Sequence, residues 1–301
     1  MRSNLAVSMA LGIAFSGGAV AQQRPPILGV AHIALRTNDL AAARAFYGKY
    51  LGYEEAFSLS LPDGGIERTF FKVNDRQYIE VLPALKDEAQ DRLSNIAFET
   101  TNAEQMRAYL ESRGVPATLR TLPDGNASVV IKDPDDHTVE FVQYMPESLQ
   151  LRNAGRFLAA SRISERIGHV GFTVSNRAAT DRLFKDILGF REVWHGGMTD
   201  NGPTNWVAMR VPEGHDHLEY MLEVRNPSPR TLGVMNHLCL IVPSVEASYK
   251  TLLERGMKIG QPPQMGRDGK WQLNLYDPNF TRAELMEPKP VQKPCCSPFL
   301  E

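Results

Sequence analysis

Cysteine is scarce, basic residues form no block, and no apolar run is long enough to cross a bilayer. Three cysteines, Cys239, Cys295 and Cys296, stand among 301 residues, and neither their number nor their spacing makes a disulfide framework. Lys and Arg number 33 against 35 Asp and Glu, a formal charge of -2. Without clustered cations there is no footprint for a nucleic acid partner. The apolar stretch from Leu5 to Phe15 falls short of the roughly 20 residues a membrane helix needs, so no membrane partner is expected either. Arg2 precedes that stretch and Gly17-Gly18-Ala19-Val20-Ala21 follows it, the pattern of a secretory signal over residues 1–21 cleaved after Ala21. No lipid-attachment cysteine is near it, which predicts a free periplasmic or secreted protein.

What remains is ordinary globular sequence, 43% hydrophobic and 23% charged, enough for two domains that each bury a core. Four times a short apolar strand is followed by a cap residue, an amphipathic helix and a glycine: Asp39 to Gly52, Asn102 to Gly114, Asn176 to Gly189 and Ser244 to Gly256. Asp, Asn and Ser accept from the free N–H groups of a helix start, and Gly supplies the left-handed residue that ends it. Further strands follow each helix, separated by turns such as Pro62-Asp63-Gly64-Gly65, Pro123-Asp124-Gly125 and Asp277-Pro278-Asn279. The unit is therefore strand, helix and about three strands, repeated four times. First strands recur at intervals of 63, 74 and 68 positions, from His32 to Asn95, His169 and His237. The longest interval holds a connector, residues 146–166, read as a helix or extended linker. The Pro-rich segment 289–301 reads as a disordered tail.

In the last two units, His169 and His237 open short strands while Glu219 and Glu284 lie late in their repeats. Alternation puts His169 with Gly171 and Thr173 on one face of its strand and Val170, Phe172 and Val174 on the other. One face reads as a cavity wall, the other as core. Four such side chains at corresponding places suit one divalent metal. Glu223, four positions along from Glu219, shares its face and is an alternative ligand. Cys239 shares the face of His237 but reads first as a small buried side chain. Gln272, Asn274 and Tyr276 form the polar face of one strand, and a substrate pocket is expected there. Trp206 and Trp271 are expected in the core.

The chain resembles the vicinal oxygen chelate superfamily, which includes glyoxalase I, extradiol dioxygenases, fosfomycin-resistance enzymes and bleomycin-binding proteins. The resemblance spans about residues 27–288. It rests on Val30-Ala31-His32-Ile33-Ala34-Leu35, on Phe46-Tyr47-Gly48-Lys49-Tyr50-Leu51-Gly52-Tyr53 and its counterpart Leu183-Phe184-Lys185-Asp186-Ile187-Leu188-Gly189-Phe190, and on the endings at Asp133 to Glu140 and Asp277 to Glu284. It implies an α+β fold of four βαβββ modules forming two half-open barrels, at residues 27–145 and 167–288. It also implies that His169, Glu219, His237 and Glu284 ligate the metal, at intervals of 50, 18 and 47 positions. The first domain offers His32, Glu80 and Glu140, but Asn95 stands where a second histidine is needed. Amide oxygen replaces imidazole poorly at transition metals, so that site is expected to be degenerate, unless modules pair across the halves and join His32 and Glu80 to His237 and Glu284.

Two imidazoles and one or two carboxylates leave open positions at which a substrate chelates through adjacent oxygens. Four protein ligands suit Zn, Ni, Co or Mn and a proton transfer, with Glu284 or Glu219 as base. Three, His169, His237 and Glu284, suit Fe and dioxygen. Dioxygenases of the family add a tyrosine and a histidine near the metal. Asn274 is nearest the tyrosine position, Tyr276 is displaced by two, and His195 is the available histidine, though it reads as a loop residue. The leading expectation is a glyoxalase-type lyase or isomerase. A ring-cleaving dioxygenase is the alternative within the family, and a metal-free small-molecule binder the alternative outside catalysis. Export argues against a glutathione-dependent substrate. The oligomeric state stays open, a homodimer being one option.

Overall fold

The computed structural model describes residues 22–222, 224 and 226–300. The expected signal sequence and Glu223 lie outside them. Module one is β1 (Ile27–Arg36), a helix and β2 (Glu55–Ser60), β3 (Ile66–Lys72) and β4 (Tyr78–Leu82); module two is β5 (Leu93–Thr100), a helix and β6 (Thr118–Thr121), β7 (Ala127–Lys132) and β8 (Thr138–Gln143). Module three is β9 (Ile167–Val174), a helix and β10 (Arg191–Gly196), β11 (Trp206–Arg210) and β12 (His217–Leu222); module four is β13 (His237–Ile241), a helix and β14 (Gln264–Met265), β15 (Trp271–Tyr276) and β16 (Arg282–Met286). This is the βαβββ order expected from the repeats.

Two eight-stranded sheets result, ordered β2-β3-β4-β1-β5-β8-β7-β6 and β10-β11-β12-β9-β13-β16-β15-β14. Modules join within each half, through antiparallel β1–β5 and β9–β13 pairs. The crossed arrangement is therefore not the one adopted, and His32 and Glu80 belong to a different sheet from His237 and Glu284.

Local chemistry explains the helices. Asp39, Asn102, Asn176 and Ser244 each accept from the backbone N–H three residues on. The glycines that close these helices, Gly52, Gly114, Gly189 and Gly256, have φ of 78, 76, 80 and 83°, where a side chain would be strained. Val170, Phe172 and Val174 face a core that continues across both domains, with Phe98 and Phe190 edge to face at 5.2 Å. Between the halves, Tyr47 donates to Asp277 at 3.0 Å and Thr37 to Asn279 at 2.6 Å. Asp277 also accepts from the N–H groups of Asn279 and Thr281, as Asp133 does from Asp135 and His137. The matching turn motifs thus have matching hydrogen bonds.

The connector holds one short helix, Leu149–Arg152. Two expectations change. Trp271 is 39% exposed rather than core. Residues 289–300, expected to be disordered, lie along the second domain. Leu300 N–H donates to Val193 O, Trp194 Nε1 to Cys295 O, and Ser297 exchanges hydrogen bonds with the His195 backbone.

Candidate metal centre

Two rows of residues run across the second sheet. Glu219, Gly171 and His237 are paired in register on β12, β9 and β13, while His217, His169, Cys239, Glu284 and Asn274 form the neighbouring row from β12 to β15. Register alone therefore brings the four expected ligands together. His169 Nε2 and His237 Nε2 are 3.1 Å apart. Glu219 Oε2 lies 3.7 Å from the first and 3.3 Å from the second, and Glu284 Oε2 lies 3.5 Å from both.

All but the slightly longer Glu219–His169 spacing of 3.7 Å fall in the range that a metal sets. Bonds of about 2.0–2.2 Å to imidazole nitrogen and carboxylate oxygen put neighbouring ligand atoms about 2.8–3.6 Å apart in tetrahedral or octahedral geometry. His237 Nδ1 lies 2.8 Å from the Met235 carbonyl, which holds the ring proton on Nδ1 and leaves Nε2 its lone pair. Met235 closes a short helix, Pro229–Met235, capped by Ser228. Sequence reading missed that helix, although Ser228-Pro229 is a start signal. Asn236 next to it accepts from Thr173 N–H and donates to Asp91 of the first domain, at 2.9 and 2.8 Å.

Gly171 has a specific role in the same row. A Cβ there would lie 2.0 Å from His237 Cε1, so the imidazole occupies the space that a side chain would take. Cys239, fully buried between His169 and Glu284 in its row, has its thiol pushed well up by burial.

Charge is concentrated here. Burial works to raise the Glu284 carboxyl, but His169 and His237 outweigh it and hold it well below the usual range; Glu219 is lowered in the same way. Burial and Arg282 push the His237 imidazolium down, yet its bonds to Glu219 and Glu284 hold it above the ordinary value. Arg282 Nη2 sits 2.8 Å from both ring nitrogens of His237, equidistant and so out of line with the Nε2 lone pair. His217, beside His169 in the row, is lowered to about 3 by burial and by the charges of His169, Lys270, Arg166 and Arg210.

Three of the expected ligands, His169, Glu219 and Glu284, line a cavity of about 650 Å³, whose wall also includes Trp194, Trp206, His217, Lys270, Arg282 and Phe299. Trp206, expected in the core, is therefore part of the wall. Of the expected pocket face, Gln272 lines this cavity and Asn274 pairs with Glu284, its Oδ1 buried without a partner. Tyr276 is 38% exposed, pairs with Arg282 at the strand end and is not part of the wall. His195 is also outside the wall, with Nδ1 2.7 Å from Glu192.

The first domain shows the same positions without the same chemistry. Asn95 Nδ2 lies 2.9 Å from His32 Nε2, His32 Nδ1 lies 3.2 Å from Glu80, and Arg68 donates to Glu80 at 2.9 Å. Glu140 accepts from Ser128 at 3.0 Å. A guanidinium and an amide thus satisfy the groups that a metal would otherwise hold. Burial lowers His32 to about 4 and raises Glu80 to about 7, despite Arg68.

Similar solved structures are dioxygenases and a glyoxalase. The 2,3-dioxygenase LapB from Pseudomonas sp. KL28 superposes with a TM-score of 0.68 at 15% identity, over 91% of this chain and 98% of that one. The Mn(II)-bound glyoxalase from Novosphingobium aromaticivorans gives 0.66 at 18%, over 87% and 83%. A mutant of homoprotocatechuate 2,3-dioxygenase from Brevibacterium fuscum gives 0.65 at 18%, over 89% and 73%. At these identities the likeness is one of fold. No curated protein sequence matches the chain. Residues 29–141 and 166–285, one stretch in each sheet, match the family in sequence, and with paired modules and convergent ligands the chain belongs to the Glyoxalase/Bleomycin resistance protein/Dioxygenase superfamily.

Proposed function

We propose that the second domain is a metal-dependent enzyme for a small molecule that chelates through two adjacent oxygens, and that its chemistry is glyoxalase-type proton transfer. The observation that carries this reading is the convergence of four donors, with Glu219 as close to the histidines as Glu284. His169, His237 and Glu284 would hold a divalent ion, which would supply Lewis acidity and make protons beside chelated oxygens more acidic by several kcal/mol. Glu219 is the better placed base, since its side chain is 15% exposed against 5% for Glu284. It accepts the proton and returns it to the neighbouring carbon. Trp194, Trp206 and Phe299 limit water around the reacting atoms.

Dioxygenase chemistry is less well served by these residues. His195 and Tyr276 are absent from the cavity wall, and Asn274 stands beside Glu284 in their stead. The expected export signal supports a substrate other than a glutathione adduct.

Metal content by mass spectrometry, on full chain purified without chelator, is the first test. About one metal is expected per chain, lost in His169→Ala and kept in His32→Ala. Loaded protein should then exchange carbon-bound hydrogen of an α-hydroxycarbonyl for deuterium in D₂O, seen by NMR, with Glu219→Gln inactive. Oxygen uptake with catechols in place of exchange would establish the dioxygenase reading. No metal after reconstitution would leave a binding protein.

A further inference from the structure

The cavity is strongly cationic in a chain that is slightly acidic overall. Arg166, Arg210, Arg267, Lys270, Arg282 and Lys289 line it, against the three carboxylates of Glu219, Asp268 and Glu284, while the whole sequence carries a formal -2. Two of those carboxylates are the expected metal ligands, so a divalent ion would leave the excess of cations undiminished.

Several of these cations are already committed. Arg166 donates to Asp216 at 2.9 Å, Arg267 pairs with Asp200, and Arg210 donates to the Gly214 carbonyl at 2.9 Å. Lys270 and Arg282 are different. Lys270 is 6% exposed, with Nζ 3.7 Å from Asp268, beyond hydrogen-bond length, and 3.8 Å from the centre of the Phe299 ring. Arg282 makes no salt bridge among the described residues; its Nη2 touches His237, and its Nε is buried without a partner there. It lies two residues before Glu284 on β16, hence on the same face. A buried guanidinium donor left unpaired beside a metal centre is costly unless a ligand completes it.

We propose that the substrate is an anion, and that Arg282 and Lys270 hold its carboxylate while its adjacent oxygens chelate the metal. This rests on the reading of the second domain as a chelating site and names the substrate class. The guanidinium fork matches a carboxylate in two parallel hydrogen bonds. Lys270 adds a point charge from the β14–β15 side of the cavity. Trp206 and Phe299 offer apolar surface to the rest of the molecule. Neutral chelators would leave the Arg282 donor unpaired and Lys270 with only Asp268 at 3.7 Å and the Phe299 ring, which selects against them.

The test compares 3,4-dihydroxybenzoate with catechol, which share vicinal oxygens and differ in the carboxylate. Binding is followed by tryptophan fluorescence and calorimetry, with Mn(II) and without, in wild type, Arg282→Met, Arg282→Lys and Lys270→Met. Wild type should bind the carboxylate form at least about tenfold more tightly, as one charge-assisted contact supplies. Arg282→Met should remove most of that preference while leaving catechol affinity unchanged, and Arg282→Lys should restore part of it. Arg282→Met should fold, since it removes an unpaired buried donor, and circular dichroism and a thermal melt verify this. Equal affinity for both probes in wild type, or an undiminished preference in both Arg282→Met and Lys270→Met, would overturn the proposal. Carboxylate preference without any dependence on Mn(II) would support the anion site and count against the metal reading. Mn(II)-dependent binding without carboxylate preference would do the reverse.

Discussion

Gly171→Ala tests the architecture of the centre without touching a ligand. The new Cβ would stand 2.0 Å from His237 Cε1 and 2.3 Å from Nδ1, where ordinary contact begins at 3.4 Å. The imidazole must therefore retreat by about 1.4 Å, several times the ±0.2 Å that metal–ligand distances tolerate. It has little freedom, being fully buried and bonded through Nδ1 to Met235. Overpacking of this kind costs about 1–3 kcal/mol of stability, a few degrees in melting temperature. Metal affinity should fall by about 100-fold or more, beyond the 10–100-fold typical of losing an outer-shell partner. Competition with a fluorescent chelator measures the affinity, and circular dichroism reports whether the fold is retained. Gly260→Ala, where a Cβ meets nothing within 4 Å, is the control. Wild-type affinity in Gly171→Ala would refute the claim that His237 reaches the metal across a bare backbone.

In the first domain, Arg68→Met leaves Glu80, 2% exposed, without its cation. Because burial has raised the Glu80 carboxyl to about 7, its charged form burdens the fold as pH rises from the ordinary carboxylate range through 7. The variant should therefore lose about 3 kcal/mol at pH 8 and less at pH 5 in urea melts, with Glu80→Gln restoring most of it; equal losses at both pH values would contradict this. Tyr47→Phe should cost about 1–3 kcal/mol by leaving buried Asp277 short of a donor, and, given the shared core, calorimetry should still show one transition. Phe299→Ala should open the cavity wall, so that Trp194 and Trp206 become more accessible to acrylamide quenching in fluorescence. Unchanged quenching would mean that the C-terminal segment does not cover them in solution.

Local chemistry made much of this protein legible in its sequence. Caps at Asp39, Asn102, Asn176 and Ser244, left-handed glycines and strand alternation depend on a few adjacent residues, so four βαβββ modules could be counted. His169, Glu219, His237 and Glu284 could be named because each repeats a place within a module, and register then brought the two imidazoles within 3.1 Å of each other and each carboxylate within 3.3–3.7 Å of both. What depends on contacts distant in sequence was decided only by the tertiary structure. Pairing of modules within halves is a choice between strand partners with similar patterns, which alternation does not rank. Alternation also fixes the face of a residue but not its depth, so Gln272 lines the cavity while Tyr276, on the same face, stands at the strand end beyond it. The tail Cys295 to Leu300 found its place through hydrogen bonds to β10 that each use a backbone group on one side or both, which composition does not encode. Arg68 closed the first site and Arg282 leaned over His237 because long, flexible side chains reach whatever charge the fold brings near them, and that is set by three-dimensional neighbours alone.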